Sequence, residues 1–176
     1  MSPREFAKDS DLGGRVRRPN ALAGRDNLSY AFCGRHETTV LRKGRIRLPV
    51  EVTRQLRVAG VEAIWPAILP KEEGLALVPH CEWDRWVLNV QRSFPFLDTP
   101  EGRRVYMAPS RPTRWDRDGR IWIPKELRDY ANIRGGEPAV VLGLSDHFEL
   151  WDADVLGEIS KRWVPPEWPS AGATKR

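Results

Sequence analysis

Apolar and polar positions alternate from Arg45 to Leu48: Ile46 and Leu48 fall on one side of an extended chain, Arg45 and Arg47 on the other. The alternation returns at Arg120–Ile123, with Ile121 and Ile123 on the apolar side and Arg120 and Trp122 opposite. Each run follows a turn signal, Lys43-Gly44 or Asp118-Gly119, in which glycine supplies the positive φ of a tight reversal, so a hairpin is expected at each place. Each ends at a proline, Pro49 or Pro124, whose missing N–H costs nothing in the first turn of a helix. Short helices are predicted over 50–57 and 125–130. Two more strands follow each helix, in the apolar segments 63–69 and 75–78 and again in 139–144 and 148–151. An amphipathic helix comes next. After the first set, Trp83, Trp86, Val87, Val90 and Phe94 recur at helical spacing, and Pro95 closes the run.

The two sets are copies of one unit. GRIRLPVE begins at Gly44 and GRIWIPKE at Gly119, 75 residues later, with Gly, Arg, Ile, Pro and Glu at matching places. Leu75-Ala76-Leu77-Val78 corresponds to Phe148-Glu149-Leu150-Trp151 at an offset of 73. The repeats span 29–97 and 110–163. The segment 98–109 connects them, and Thr99-Pro100-Glu101 has the form of a helix start, with a helix expected to about Met107. Residues 1–28 lack a sustained apolar pattern and 164–176 are rich in proline, so a flexible arm and a flexible tail are expected.

Composition narrows the picture. Apolar residues make up 40% and charged residues 30% of 176, which suits a folded core. The net charge of +5 favours a polyanionic partner. That charge is localised: from Gly34 to Arg57 seven basic residues face two acidic ones, a surplus of +5, and the matching span Arg111–Gly136 carries seven against four. The remainder of the chain is slightly acidic. Two cysteines, Cys33 and Cys81, are too few for a disulfide scaffold and read as reduced thiols. No apolar run approaches the roughly 20 residues of a membrane span, and the N-terminus has no secretory pattern. A cytoplasmic, nucleoid-associated protein is expected, without membrane contact.

Other constellations are weak. Cys33-Gly-Arg-His36 and His80-Cys81 do not have the spacing of zinc knuckles, so no metal is expected. Asp146 and His147 are adjacent and read as residues flanking a turn rather than an acid–base pair. The Trp83/Trp86/Phe94 stripe reads as core or as a contact between subunits, and Gly135-Gly136 lacks the Lys-Ser/Thr of a phosphate loop. No nucleophile, base and orienting residue stand together. The expectation is no enzyme, no cofactor and no small-molecule substrate.

The pattern Asp-x-x-Gly-Arg-Ile-x-Ile-Pro-x-x-Leu-Arg, from Asp116 to Arg128, strongly resembles the signature of the MraZ family. Val140-Val141-Leu142-Gly143 and Phe148-Glu149-Leu150-Trp151-Asp152 agree with it. The first copy resembles the family's N-terminal half through Phe32-x-Gly34, Lys43-Gly44-Arg45, Leu77-Val78-Pro79 and Glu82-Trp83, and Arg103-Arg104 fits between the copies. The likeness covers about residues 30–160. It departs at Leu41, where the family has Asp, and at Arg54, which stands one place late.

The resemblance implies an α+β, mainly β fold: two SpoVT-AbrB-like repeats forming an intrachain pseudo-dimer, with a barrel-like core and flanking helices. It further implies a homo-oligomer closed into a ring, and repression of a cell-division and cell-wall operon through direct repeats in its promoter. On this reading the partner is double-stranded DNA. A two-stranded ribbon is narrow enough for the major groove, and outward arginines reach phosphates or guanine edges. The candidate contacts are Arg42, Lys43, Arg45 and Arg47 of the first copy, with Arg35 and Arg120. The first hairpin is expected to dominate, because Asp116 and Asp118 flank the tip of the second. Two rivals remain at this point. One is an AbrB-type antitoxin, a class that usually has one copy and a long neutralising tail. The other is a structural ring that has lost DNA binding, a possibility raised by Leu41.

Overall fold

A computed structural model describes residues 31–162; the arm expected at 1–28 and the tail expected at 164–176 lie outside the described residues. The chain runs β1 (Arg35–Thr39), β2 (Arg45–Arg47), α1 (Val50–Val58), β3 (Ile64–Ile68), β4 (Leu75–Pro79), α2 (Trp83–Ser93) and α3 (Pro100–Gly102). It continues through β5 (Arg120–Trp122), α4 (Lys125–Tyr130), β6 (Pro138–Gly143), β7 (Phe148–Asp152) and α5 (Ala153–Arg162). The fold is α+β and mainly β. Five strands form one sheet in the order β1-β6-β7-β4-β3, and β2 and β5 form a separate two-stranded ribbon. The described strands form no closed barrel.

The expected hairpin within each repeat is replaced by pairing between repeats. Val40, just after β1, bridges Ile46 of β2, while the whole length of β1 pairs with β6, from Arg35 opposite Leu142 to Thr39 opposite Pro138. β2 pairs antiparallel with β5, which places Ile46 opposite Ile121. The reason is burial: a lone two-stranded hairpin is marginal in water, and a three-residue strand has little to offer its own neighbour. Exchange gives every strand a partner and sends both isoleucines, 0% and 1% exposed, into a common interior.

The pairings are centred on equivalent residues. Ile46 and Ile121 are 75 positions apart, and on either side of them Leu48 N donates to Gly119 O at 2.8 Å and Ile123 N to Gly44 O at 3.0 Å. In the large sheet, Ala76 of β4 stands opposite Glu149 of β7, its counterpart at an offset of 73. Thr38 faces Ala139, and Thr113 bridges Ile64, each pair being the other shifted by 75.

Three layers result, because alternate residues of the sheet point to opposite sides. Ile64, Leu75, Leu77, Val141, Phe148 and Leu150 face the ribbon and the buried residues of α1 and α4, namely Val52, Leu56 and Leu127. On the other side Ala67, Ala76 and Val78 receive α2 through Trp86, and Val140 and Trp151 receive α5 through Leu156. The tryptophan stripe belongs here: Trp65 stacks on Trp83 at 4.5 Å and Trp83 on Trp86 at 5.5 Å between centroids, closing the outer layer. Pro49 and Pro124 sit immediately before α1 and α4, and the left-handed residues Gly60 and Asn132 follow those helices. Between the copies, the Thr99 hydroxyl accepts from Gly102 N at 3.1 Å, and α3 continues as a π-helical turn over Arg103–Met107. No helix among the described residues is long and apolar enough to cross a membrane.

Asp146 and His147 lie in the β6–β7 turn, but their side chains do meet. A strand would point them apart; here Ser145, at φ 69, bends the chain and His147 Nδ1 comes 2.7 Å from Asp146 Oδ1. Asp146 also binds Arg85 of α2 at 3.2 Å, and Glu149 stands 3.8 Å from His147 Nε2. Burial opposes the imidazolium, but Asp146 and then Glu149 outweigh it and raise the His147 pKa to about 9. The protonated ring therefore stabilises the junction fully below its ordinary pKa of about 6.5, and this contribution is lost as pH rises through about 9. Urea titrations of wild type and His147→Gln should show a stability gap that is widest near pH 6 and narrows between pH 6.5 and about 9; a gap independent of pH contradicts the charged pair.

Candidate nucleic-acid interface

The ribbon has an inner and an outer face. Ile46, Leu48, Ile121 and Ile123 point inward and are buried, so Arg45, Arg47, Arg120 and Trp122 share the outer face. Across the strands Arg45 stands opposite Trp122, and Arg47 opposite Arg120. Thr38 ties β1 to this unit, its hydroxyl donating to Arg47 O at 2.5 Å. The two candidate hairpins are thus one surface made by both copies.

A loop leads into each strand of the ribbon, and the two differ in how they are held. In the second, Asp116 Oδ1 accepts from the amides of Asp118 and Arg120, each at 2.9 Å. The amide of Arg120 is the main cause of the lowered Asp116 pKa; that of Asp118 and the charges of Arg120 and Arg45 add to it. Arg120 binds Asp118 at 2.9 Å and approaches Asp116 at 4.0 Å, so its charge is largely offset within its own loop. In the first loop Leu41 takes the place of Asp116 and has no oxygen to offer; its amide donates to Arg45 O at 2.7 Å, as Asp116 N does to Arg120 O at 3.0 Å. Lys43 then adopts φ 62 ahead of Gly44 at φ 74, and both Arg42 and Lys43 are exposed. Among the described residues Arg42, Lys43, Arg45 and Arg47 enter no ion pair, in contrast to Arg120.

The helices support the loops unequally as well. Arg128 of α4 donates from Nε to Ile123 O at 3.1 Å, and its guanidinium lies where a side chain on Gly44 would go, 2.6–2.8 Å from such a Cβ. The equivalent residue of α1 is Thr53, buried, whose Cγ2 lies 3.4 Å from a Cβ built on Gly119 and whose hydroxyl donates to Val50 O at 2.8 Å. Arg54, one place late, instead binds Glu51 on the surface at 2.5 Å.

The structure brings Arg42, Lys43, Arg45, Arg47 and Arg120 together. It does not bring Arg35 to them: that residue begins β1, at the end remote from the loop. Arg117 was missed. It is exposed at the tip of the second loop, in the place that Arg42 holds in the first, and the 75-residue offset alone points to it. Cys33 and Cys81 form no disulfide. The His36 ring lies 3.2 Å from Cys33 O, a backbone contact.

The family described as "MraZ protein, putative antitoxin-like" matches residues 111–162. A protein of Treponema pallidum named "Transcriptional regulator MraZ" is 31% identical over 124 residues, covering 69% of this chain and 79% of its own. Proteins of the same name are 29% identical in Leuconostoc mesenteroides, over 70% of this chain and 82% of theirs, and 34% identical in Bifidobacterium longum, over 64% and 71%.

Alanine at either turn glycine must enter the left-handed region, at about 1–2 kcal/mol. Gly44→Ala must also push Arg128 off Ile123 O, adding roughly 1 kcal/mol, whereas Gly119→Ala meets only ordinary contacts. Urea denaturation should rank Gly44→Ala as the less stable; the reverse order contradicts the described seating of Arg128.

Proposed function

The chain belongs to the MraZ family, and from that premise we propose that it is a transcriptional regulator, a repressor, that binds double-stranded DNA through the outer face of the ribbon. The observation that carries the reading is the set of unpaired cations Arg42, Lys43, Arg45 and Arg47 gathered on one ribbon face and its adjoining loop. Such a ribbon matches the width of the major groove, and guanine edges and phosphates are the groups that arginine fits there. Counterion release makes such binding weaken with salt.

Pairing about Ile46–Ile121 and Ala76–Glu149 supports an intrachain pseudo-dimer of two AbrB-like halves. Copies then associate head to tail into a closed ring, for which exposed Val50 and Val58 on α1 and Leu88, Phe96 and Val105 elsewhere supply apolar surface. The target is a cell-division and cell-wall operon with direct repeats in its promoter, and the protein acts in the cytoplasm at the nucleoid, without enzymatic activity. The description of the matching family as antitoxin-like favours one second reading, an antitoxin, for which a toxin should co-purify with the full chain.

Binding should be measured on duplex DNA from the region upstream of the chain's own coding sequence, over a salt series. Arg45→Ala and Arg47→Ala should abolish tight binding, each lost phosphate contact lowering the salt slope by about 0.9 and each lost guanine contact costing ~1–3 kcal/mol of discrimination. Arg120→Ala, already paired with Asp118, should harm binding less. Equal losses at all three positions contradict the unequal roles, and salt-independent or absent binding by the wild type contradicts the function.

A further inference from the structure

We propose that Trp122 is a sequence-reading residue whose indole packs against the 5-methyl group of a thymine in the major groove. This rests on the DNA-binding reading above and adds to it a base preference that the arginines do not provide. Trp122 is 45% exposed, although its neighbours Ile121 and Ile123 are buried. It stands on the ribbon's outer face directly across from Arg45, in the repeat position that Arg47 holds in the first copy. A surface built only to neutralise phosphate has no use for a large uncharged ring at this place. The major groove offers one apolar feature to such a ring, the thymine methyl, beside the guanine N7 and O6 that arginine takes. Cross-strand neighbours lie ~5 Å apart and successive bases ~3.4 Å, so Arg45 and Trp122 can address adjoining base pairs.

The indole carries no charge, so its effect separates from that of the cations. Removing it should alter which sequence is bound more than how binding depends on salt.

The test is selection of binding sites from a randomised duplex pool by the full-length wild type, Trp122→Ser and Trp122→Leu. The wild type should enrich sites with a thymine at a fixed distance from its guanines. Trp122→Ser should keep the guanines and lose the thymine, and Trp122→Leu, still apolar, should retain part of the preference. Deoxyuridine in place of that thymine deletes only the methyl; it should weaken wild-type binding about fourfold and leave Trp122→Ser unaffected. If both proteins select the same sites, or the deoxyuridine penalty persists in Trp122→Ser, the assignment falls while DNA binding stands. If Trp122→Ser changes the mass in light scattering and not the selected base, the residue is a subunit contact and the assignment also falls. If the wild type enriches no sequence, the DNA-binding reading fails and this inference fails with it.

Discussion

The antiparallel contact between Ile46 and Ile121 is the interaction from which the rest of this structure follows. Each isoleucine stands opposite the other copy's strand and is buried in the core both copies share, and each fully buried aliphatic side chain contributes about 1.5–3 kcal/mol. The reciprocal bonds Leu48 N to Gly119 O and Ile123 N to Gly44 O then hold both turn glycines at the ribbon's margins. With the inner residues committed to the core, Arg45, Arg47, Arg120 and Trp122 have nowhere to point but outward. The candidate interface is the reverse side of the core's most shared contact.

Much of this was legible in the chain, and the boundary of what was legible has a physical cause. Period-two alternation at 45–48 and 120–123, Pro49, Pro124 and the glycines marked strands, turns and short helices close to where they lie. The stripe Trp83, Trp86, Val87, Val90 and Phe94 identified α2, and its first four residues pack toward Ala67, Ala76 and Val78. Alternation specifies which face of a strand is buried; it is silent on which strand lies alongside. The hairpin expectation therefore went to the nearest segment in sequence, whereas β1 and β2 pair with β6 and β5 of the other copy. The contact of His147 with Asp146 escaped for a similar reason, since the strand rule that separates neighbours lapses at a turn with Ser145 in the left-handed region. Of the candidate residues, those near Gly44 and Gly119, selected by charge and repetition, lie together on the ribbon's outer face and its adjoining loop. Arg35 was included for charge alone and stands apart in space.

Holding both halves in one chain lets them diverge without losing the pairing that each requires. Two identical chains would have to carry the same loop twice. Here one loop retains an acidic residue that accepts two amides, while the other has Leu41 and leaves its cations unpaired. Arg128 braces Gly44 from below, while compact Thr53 lies beneath Gly119. The inner face, which must serve both copies, stays uniformly aliphatic; the outer face, which meets solvent, does not. The same division of labour explains why Trp122 can replace an arginine without disturbing Ile121 or Ile123.

If the shared ribbon is the element on which both halves depend, its amides must open together. Native-state hydrogen exchange on the free full-length chain tests this directly at Leu48 and Ile123, whose amides are bonded to the opposite copy. Both should exchange with the free energy of global unfolding. Exchange of Ile123 through a smaller opening that leaves Leu48 protected would contradict a single cooperative unit built across the two copies.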